Sequence, residues 1–600
     1  MQKEYVSHRN LRFTLYDVLE ADKIGRFSYY SDYDRDIFDQ MLDNAREIAD
    51  RDLFPFYVEM DRKKAVFEDG IVKTHPQLKK IISSIAESGW IAAHAPAEHG
   101  GAQMPLTLLN AGLLTFYAAN VNACYPFLTQ GAANLILSFG NETLKNTYLP
   151  KLFSGEWQGT MALTEPQAGS SLSDLTASAE LDESGEFYRI TGQKIYISGG
   201  DHSACDNVVH LLLARVKGAP QGTKGISLFV VPKFRPENDQ LIKNDVTTAG
   251  IYGKMGQKGY TAAHLMYGEQ GDCRAWLVGE PNKGLSYMFQ MMNEARIGTG
   301  LVAAGAASAA FYGSLQYAHE RSQGRKPSSK NPLETPILIV NHADVRRMLL
   351  FQKAISEGSI ALLMYCSQLS DIAHAGEGEE KTNAHLLLEL LTPIAKSYPS
   401  EMGNLSVSAA MQVLGGAGYC DDFPIEQLYR DIRVNAIYEG TTTIHGLDLL
   451  GRKVTMQNGK AVQLLAENIN LDLQKALKQE KLAPFATKLG DAAQKLQQIT
   501  QTLMARGQAK GVDIMFSDAT LYLEYFGFVV LGWLWLKQAI VAQQKLDANA
   551  LSEVETQFLQ GKVDTMRYFM EYELVKTVSL HRRLLSEEDV TLSLDVAGLF

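Results

Sequence analysis

Cysteine is scarce in this chain: five in 600 residues, at Cys124, Cys205, Cys273, Cys366 and Cys420. None stands in a CxxC pair, which argues against a disulfide framework or a thiolate metal site and predicts reduced, structural thiols. The thirteen histidines show no HExxH or comparable ligand spacing, so no metal centre is predicted. Positive charge is also in short supply. With 57 Lys+Arg against 68 Asp+Glu, the net charge is -11 and the pI about 5.7. That argues against nucleic acid or an anionic membrane as the partner of the whole surface. The one long apolar run, Tyr525 to Leu536, is bounded by Glu524 and Lys537 and is shorter than the roughly 20 residues a spanning helix needs. A buried or interface helix is expected there, with a weak membrane-surface contact as the minor alternative. Met1-Gln2-Lys3-Glu4-Tyr5 does not read as a secretory leader, and Val596-Ala597-Gly598-Leu599-Phe600 is not a peroxisomal address. A cytoplasmic setting is expected.

What is present is ordinary for a soluble protein, 46% apolar and 21% charged, and the length predicts two to four domains. Residues 5–35 alternate polar and apolar and are rich in aromatics (Phe13, Tyr16, Phe27, Tyr29, Tyr30), which predicts an extended arm or hairpin over 1–35. Over 36–158 the period turns helical, as in Ile37, Met41, Ala45, Ile48 and in Leu78, Ile81, Ile82, Ile85. Residues 159–276 carry short β-rich runs, among them Lys194-Ile195-Tyr196-Ile197 and Ile226 to Val231, separated by turns such as Ser198-Gly199-Gly200. They predict a small antiparallel barrel or sandwich. Residues 277–455 are helical again. The alanine-, glycine- and methionine-rich stretch Met288 to Tyr317 predicts a tightly packed helix, followed by helices over Val340 to Ala375 and Asn383 to Leu414. Beyond a linker near Met456-Gln457-Asn458-Gly459, residues 456–600 form an extra helical module. The fold class is α+β multidomain.

The most informative carboxylate is Glu439, between apolar residues and a glycine in Asn435-Ala436-Ile437-Tyr438-Glu439-Gly440-Thr441. A carboxylate in apolar company has a raised pKa and works as a base near neutral pH; for a lone glutamate, a cap or a surface ion pair is the alternative. Four further blocks precede it: Met161-Ala162-Leu163-Thr164-Glu165-Pro166-Gln167-Ala168-Gly169-Ser170; Gly192-Gln193-Lys194-Ile195-Tyr196-Ile197-Ser198; Leu277-Val278-Gly279-Glu280 with Met291-Met292-Asn293-Glu294-Ala295-Arg296; and Gln412-Val413-Leu414-Gly415-Gly416-Ala417-Gly418. The glycines of the last block follow a helix and lack the G-x-G-x-x-G pattern, so a Rossmann reading fits poorly. In order and spacing, over roughly residues 35–450, the five blocks resemble the acyl-CoA dehydrogenase family: T-E-P-x-A-G-S, then G-x-K-x-[WY]-[IV]-[TS], and so on to the glutamate.

The resemblance implies an N-terminal helical domain, a central β domain, a helical bundle bearing the catalytic glutamate, and here the extra module. It implies FAD as cofactor, held by Met161, Leu163, Thr164, Tyr196, Ser198, Thr441 and Thr443, and across a subunit interface by Arg321, Gln412, Gly415 and Gly416. Arginine suits a pyrophosphate because its planar fork bonds two oxygens. Ser170, Asn293, Arg296, Tyr438 and Gly440 are implied to meet the acyl-CoA. Two departures fall in the interface set: Arg321-Ser322-Gln323-Gly324-Arg325 replaces Arg-Lys-x-Phe-Gly, and Asn341-His342-Ala343 replaces Glu-His-Gln.

In the family a glutamate removes the α-proton of an acyl-CoA thioester while the β-hydrogen leaves as hydride to flavin N5, and the backbone N–H of that glutamate stabilises the enolate-like oxygen. Here Glu439 takes that place. Some relatives put the base where this chain has Ala295; Glu294 is one residue away, about 100° round the helix. The small residues of Asn122-Ala123-Cys124-Tyr125-Pro126-Phe127 and Gly131-Ala132-Ala133 suit either a deep acyl pocket or close helix packing. Length and the extra module resemble the subgroup with 3-methylmercaptopropionyl-CoA dehydrogenase and large bacterial fatty acyl-CoA dehydrogenases. A medium- or long-chain linear acyl-CoA is expected, with the short thioether substrate as runner-up. An electron-transferring flavoprotein as acceptor and a homodimer are implied as partners. An acyl-CoA oxidase is a rival. So is a DNA-binding, alkylation-protection flavoprotein of the same fold, which the seventeen Lys/Arg and seventeen Asp/Glu of residues 451–600 disfavour.

Overall fold

A computed structural model describes residues 4–238, 240–548 and 550–599, with the side chains of 289–292 outside the description; Met291 and Met292 of the third block, and the end residues Met1, Gln2, Lys3 and Phe600, therefore lie outside the described residues. The chain divides into two units. Residues 36–295 form one; residues up to 35 and from 296 onward form the other.

In the first unit, helices Arg35–Ile48, Gln77–Glu87, Leu106–Ala119, Cys124–Phe139 and Glu142–Phe153 precede most of the strands. The strands are β1 Val66–Glu68, β2 Ile71–Lys73, β3 Trp157–Ala162, β4 Ser178–Leu181, β5 Tyr188–Ser198, β6 Asn207–Val216, β7 Ile226–Pro232, β8 Phe234–Glu237, β9 Gln240–Lys243, β10 Val246–Ile251, β11 Ala262–Tyr267 and β12 Arg274–Leu277. The main sheet runs β10-β11-β5-β12-β7-β6-β3, with β4 against β5 and β6. Antiparallel pairing dominates, as expected, but β3 and β4 each pair with β6 in parallel. The β1–β2 hairpin, inside the stretch read as helical, turns on Asp69 and Gly70, both at positive φ; Asp-Gly is a strong signal for such a turn.

Helix Cys124–Phe139 lies close on β3 because both partners are small. A Cβ on Gly159 would sit 2.5 Å from the Cβ of Ala132. Ala132 and Ala133 are fully buried, so these small residues serve close packing of helix on sheet.

In the second unit, the described part of the segment expected as an arm or hairpin, residues 4–35, is helical instead. Helix His8–Arg12, capped by Ser7, runs into π-helical Phe13–Val18 and 3-10 turns Ala21–Arg26 and Ser28–Tyr30. Tyr5, Val6, Leu11, Leu15 and Tyr30 are fully buried. Burial on most sides removes the single apolar stripe by which a helix is recognised in sequence. Lys562 ties the segment to the extra module. Its Nζ donates to Asn10, to Glu357 Oε2 at 2.7 Å and to Gln538 Oε1 at 3.0 Å, beneath the rings of Phe13, Trp535 and Phe558. The apolar run Tyr525 to Leu536 lies within helix Ala519–Ala548 and is buried inside the unit. Trp533 donates to Asp472 at 2.9 Å and Trp535 to the Ala354 carbonyl at 3.0 Å.

Burial holds three histidines neutral. The pKa of His202 is pushed down to about 4, and those of His210 and His445 to about 3, each mainly by desolvation. The unfolded chain, with His near 6.5, binds more protons than the fold below that pH, so stability is full above about 6.5 and falls as pH drops toward the folded values. Each histidine contributes up to about 1.4 kcal/mol per pH unit. Calorimetry is expected to show the melting temperature falling steadily from pH 7 to pH 5; a flat profile refutes the assignment.

Candidate active site

In the first unit the expected flavin contacts gather where the segment after β3 meets the C-terminal half of β5. β5 and β11 carry a bulge: Lys194 faces Leu265 and Ile197 faces Ala263, so Ile195 and Tyr196 together oppose His264. Such a bulge re-aims side chains. Tyr196 sits at φ +58° with its side chain outward, 59% exposed, against the Tyr252 ring at 4.4 Å. The Ile195 N–H reaches the Thr164 carbonyl at 2.9 Å, which joins the first two sequence blocks. Met161, Leu163, Thr164 and Ser198 are half-buried around this junction, and Ser170 is exposed. An outward aromatic ring, apolar Leu163 and two accessible hydroxyls fit the planar, polar-edged flavin that the resemblance implies.

Beneath this surface lies a pair that sequence reasoning left without a role. Lys194 and Glu165, both fully buried, form an ion pair at 2.8 Å, and Lys194 Nζ also donates to the Leu163 carbonyl at 2.9 Å. Glu165 accepts further bonds from the Thr176 N–H at 2.7 Å, the Thr176 hydroxyl at 2.8 Å, the Ala177 N–H at 3.1 Å and Gln167 at 2.8 Å. Desolvation opposes ionisation of Glu165, but Lys194 and these donors win and hold its pKa below the usual range. An opposite charge within each of two apolar motifs was the available signal.

In the second unit, 3-10 turn Arg433–Ala436 ends helix Ile425–Ile432 and leads to Tyr438, whose hydroxyl donates to Asn435 at 2.7 Å. Glu439 follows at φ +52° and Gly440 at φ +88°. Positive φ is costly for a glutamate. Glu439 is exposed as a residue, yet desolvation by the surrounding protein pushes its carboxyl pKa up, against the opposing pull of Lys396 and Arg296. The residue is thus solvent-accessible while its carboxylate is partly desolvated by the protein around it. Among the described residues its backbone N–H has no partner.

The carbonyls of this turn are both engaged. Lys396, fully buried in helix Gly378–Leu414, donates to the Gly440 carbonyl at 2.7 Å. His445, fully buried in helix Thr442–Gly451, donates from Nε2 to the Glu439 carbonyl at 3.1 Å. Arg296, expected at the acyl-CoA, is buried and paired with Asp448 at 2.8 Å. Burial works against the Asp448 charge, but Arg452 and Arg296 hold its pKa low. Thr441 stands at the start of helix Thr442–Gly451, and Thr443 is exposed.

The structure thus brings Arg296, Tyr438, Glu439, Gly440 and Thr441 into one neighbourhood. Arg321, Gln412, Gly415 and Gly416 are exposed at the C-terminal ends of helices Gly284–Glu320 and Gly378–Leu414, and no hydrogen bond among the described residues joins them to the Glu439 turn. His342, in one of the departures, donates to the Gln323 carbonyl at 2.8 Å and closes the loop after Arg321. Glu294 accepts from Asn134 at 3.4 Å within the first unit.

Comparison with known proteins agrees along the whole length. Residues 38–156, 160–269 and 282–454 match the family models described as acyl-CoA dehydrogenase N-terminal, middle and C-terminal domains, and 465–595 match "Acetyl-CoA dehydrogenase C-terminal like". A butyryl-CoA dehydrogenase of Syntrophomonas wolfei is 33% identical over 94% of this chain and 93% of its own length. A 3-methylmercaptopropionyl-CoA dehydrogenase of Ruegeria pomeroyi is 32% identical over 98% of each. In fold, an acyl-CoA dehydrogenase from Bacillus anthracis, solved with FAD, superposes with a TM-score of 0.71 at 20% identity, over 94% of this chain and 89% of its own.

Proposed function

The chain belongs to the acyl-CoA dehydrogenase family of FAD-dependent oxidoreductases, and from that premise we propose that it dehydrogenates a medium- or long-chain linear fatty acyl-CoA to the trans-2-enoyl-CoA, with Glu439 as the base. The observation that carries this reading is an accessible carboxylate in a left-handed turn, raised in pKa by desolvation, whose own backbone N–H has no partner among the described residues. Glu439 takes the α-proton. A thioester α-proton is weakly acidic, so the charge that develops on the carbonyl oxygen needs donors, and the Glu439 N–H supplies one. FAD, when bound, supplies the hydride acceptor for the β-hydrogen. Leu163, Thr164, Tyr196 and Ser198 would hold the ring system, with Met161 beside them; Thr441 and Thr443 are further flavin contacts that the resemblance implies. Ser170, Asn293, Arg296, Tyr438 and Gly440 belong to the acyl-CoA side, Arg296 through its charge beside the base.

The short thioether 3-methylmercaptopropionyl-CoA is the second reading, favoured by the full-length relative at 32% identity. Anaerobic bleaching of the flavin by a panel of acyl-CoAs, C4 to C16 with the methylthio thioester included, decides between them. Fastest bleaching at C8 or longer supports the first reading, fastest bleaching by the methylthio compound the second, and no bleaching overturns both. We propose an electron-transferring flavoprotein as acceptor, tested by anaerobic reoxidation of the bleached enzyme. We also propose a homodimer in which Arg321, Gln412, Gly415 and Gly416 reach the FAD of the other subunit. A tetramer by sedimentation velocity overturns it.

A further inference from the structure

The base depends on a turn that a glutamate does not adopt by preference. Glu439 and Gly440 both have positive φ, and two side chains from two helices hold the consecutive carbonyls that follow. Lys396 reaches Gly440 O at 2.7 Å and His445 Nε2 reaches Glu439 O at 3.1 Å. A peptide is planar and trans, so fixing its carbonyl fixes the orientation of the whole unit. The two bonds therefore fix the peptide planes after Glu439 and after Gly440, and with them the Glu439 Cα; the left-handed conformation of Glu439 then sets where its N–H and side chain stand relative to those planes.

Resting on the reading of Glu439 as base, we propose that Lys396 and His445 are positioning residues that clamp the Glu439-Gly440 turn in its left-handed form and hold the base and its N–H in their working orientation.

The chemistry of the pair is asymmetric. His445 Nδ1 is buried with no hydrogen-bond partner among the described residues, so the ring proton belongs on Nε2, where the carbonyl accepts it. Burial, with Arg296 and Lys396 close by, keeps that imidazole neutral across the working pH range. His445 is therefore a fixed neutral donor. Lys396 brings charge as well as a bond. Burial pulls its pKa down to about 8, against the pull of Glu401 and Glu439 and with the push of Arg296, and its positive charge favours the ionised form of Glu439. Gly440 is required for space as well as for φ: a Cβ there would lie 3.0 Å from His445 Nε2 and would displace the clamp.

The test uses flavin-loaded full-length enzyme and four variants: Lys396→Met, His445→Leu, His445→Gln and Glu439→Gln. Flavin content and melting temperature establish folding. The readouts are the rate of anaerobic flavin bleaching by acyl-CoA, the acyl-CoA affinity, and the pH dependence of the charge-transfer band formed with a 3-oxoacyl-CoA, whose acidic α-carbon reports deprotonation directly. Lys396→Met and His445→Leu are expected to slow bleaching about 10²-fold, the cost of a misplaced catalytic group, with affinity changed less than threefold. In Lys396→Met the pH at which the band appears is expected to rise, because Arg296 is then the remaining cation facing Glu439 while Glu401 and Asp448 are unchanged. His445→Gln keeps an N–H donor and is expected to stay within about threefold of wild type. Wild-type bleaching in folded Lys396→Met and His445→Leu overturns the proposal, as does a His445→Gln as slow as His445→Leu. Should Lys396→Met not retain flavin, the His445 pair decides alone. Failure of the underlying reading looks different: Glu439→Gln then bleaches like wild type, whereas failure of the clamp alone leaves Glu439→Gln inactive beside fully active clamp variants.

Discussion

Glu439→Gln is expected to bind flavin and acyl-CoA normally and to lose flavin reduction by about 10²–10⁴-fold, the usual contribution of a positioned general base. The amide is isosteric with the carboxylate and keeps the turn, so folding and affinity are spared while the proton acceptor is gone. The size of the effect follows from the surroundings. Desolvation pushes the Glu439 pKa up, which makes the carboxylate a stronger base than an exposed glutamate. The wild-type rate should accordingly rise with pH through a limb lying above the ordinary glutamate value of 4.5, because only the ionised form accepts the proton. Glu294→Gln is the contrasting variant: Glu294 accepts from Asn134 in the first unit, and its loss is expected to change bleaching less than threefold. Stopped-flow flavin bleaching across pH measures both. A Glu439→Gln that keeps activity while Glu294→Gln loses it would reassign the base.

Much of this was readable in the sequence, and the misses have common causes. The five blocks pointed to the Glu439 turn and to the junction of Thr164 with Tyr196 and Ser198, which the fold brings together through the Ile195 to Thr164 bond, because each contains residues whose chemistry would have a direct use in the proposed reaction. Residues acting through others carry no such mark. Lys396 stands in Leu390-Leu391-Thr392-Pro393-Ile394-Ala395-Lys396, a lone cation in an apolar stretch; a buried lysine needs a partner, but the sequence does not name which. His445 lies six residues after Glu439 across a helix start, and only the fold shows that its ring turns back on the Glu439 carbonyl. The first 35 residues were misread because alternation over a few residues looks the same in a strand and in short helical turns buried on most sides. The bulge at Ile195-Tyr196 depends on the partner strand, which no local pattern specifies.

Lys194→Met is expected to cost the first unit about 3–5 kcal/mol, the price of leaving a buried carboxylate without its cation, and to lower its melting temperature by on the order of 10 °C. Glu165 accepts from Thr176, Ala177 and Gln167 and is fully buried, so neither solvent nor a second cation replaces Lys194. The same lysine holds the Leu163 carbonyl, and Ile195 holds that of Thr164. Loosening the first of these frees the stretch proposed to hold the flavin, and on that proposal the variant is expected to lose flavin on gel filtration as well as stability. Lys194→Met with Glu165→Leu removes both charges and is expected to recover a large part of the lost stability, since an apolar pair of similar volume often matches a buried ion pair. It should not recover flavin retention, because the Leu163 carbonyl still lacks its donor. Calorimetry and the flavin-to-protein ratio on the two singles and the double form a thermodynamic cycle whose coupling energy isolates the pair. Additive losses would show that the two residues act independently and that the link between the first two sequence blocks lies elsewhere, in the Ile195 to Thr164 bond.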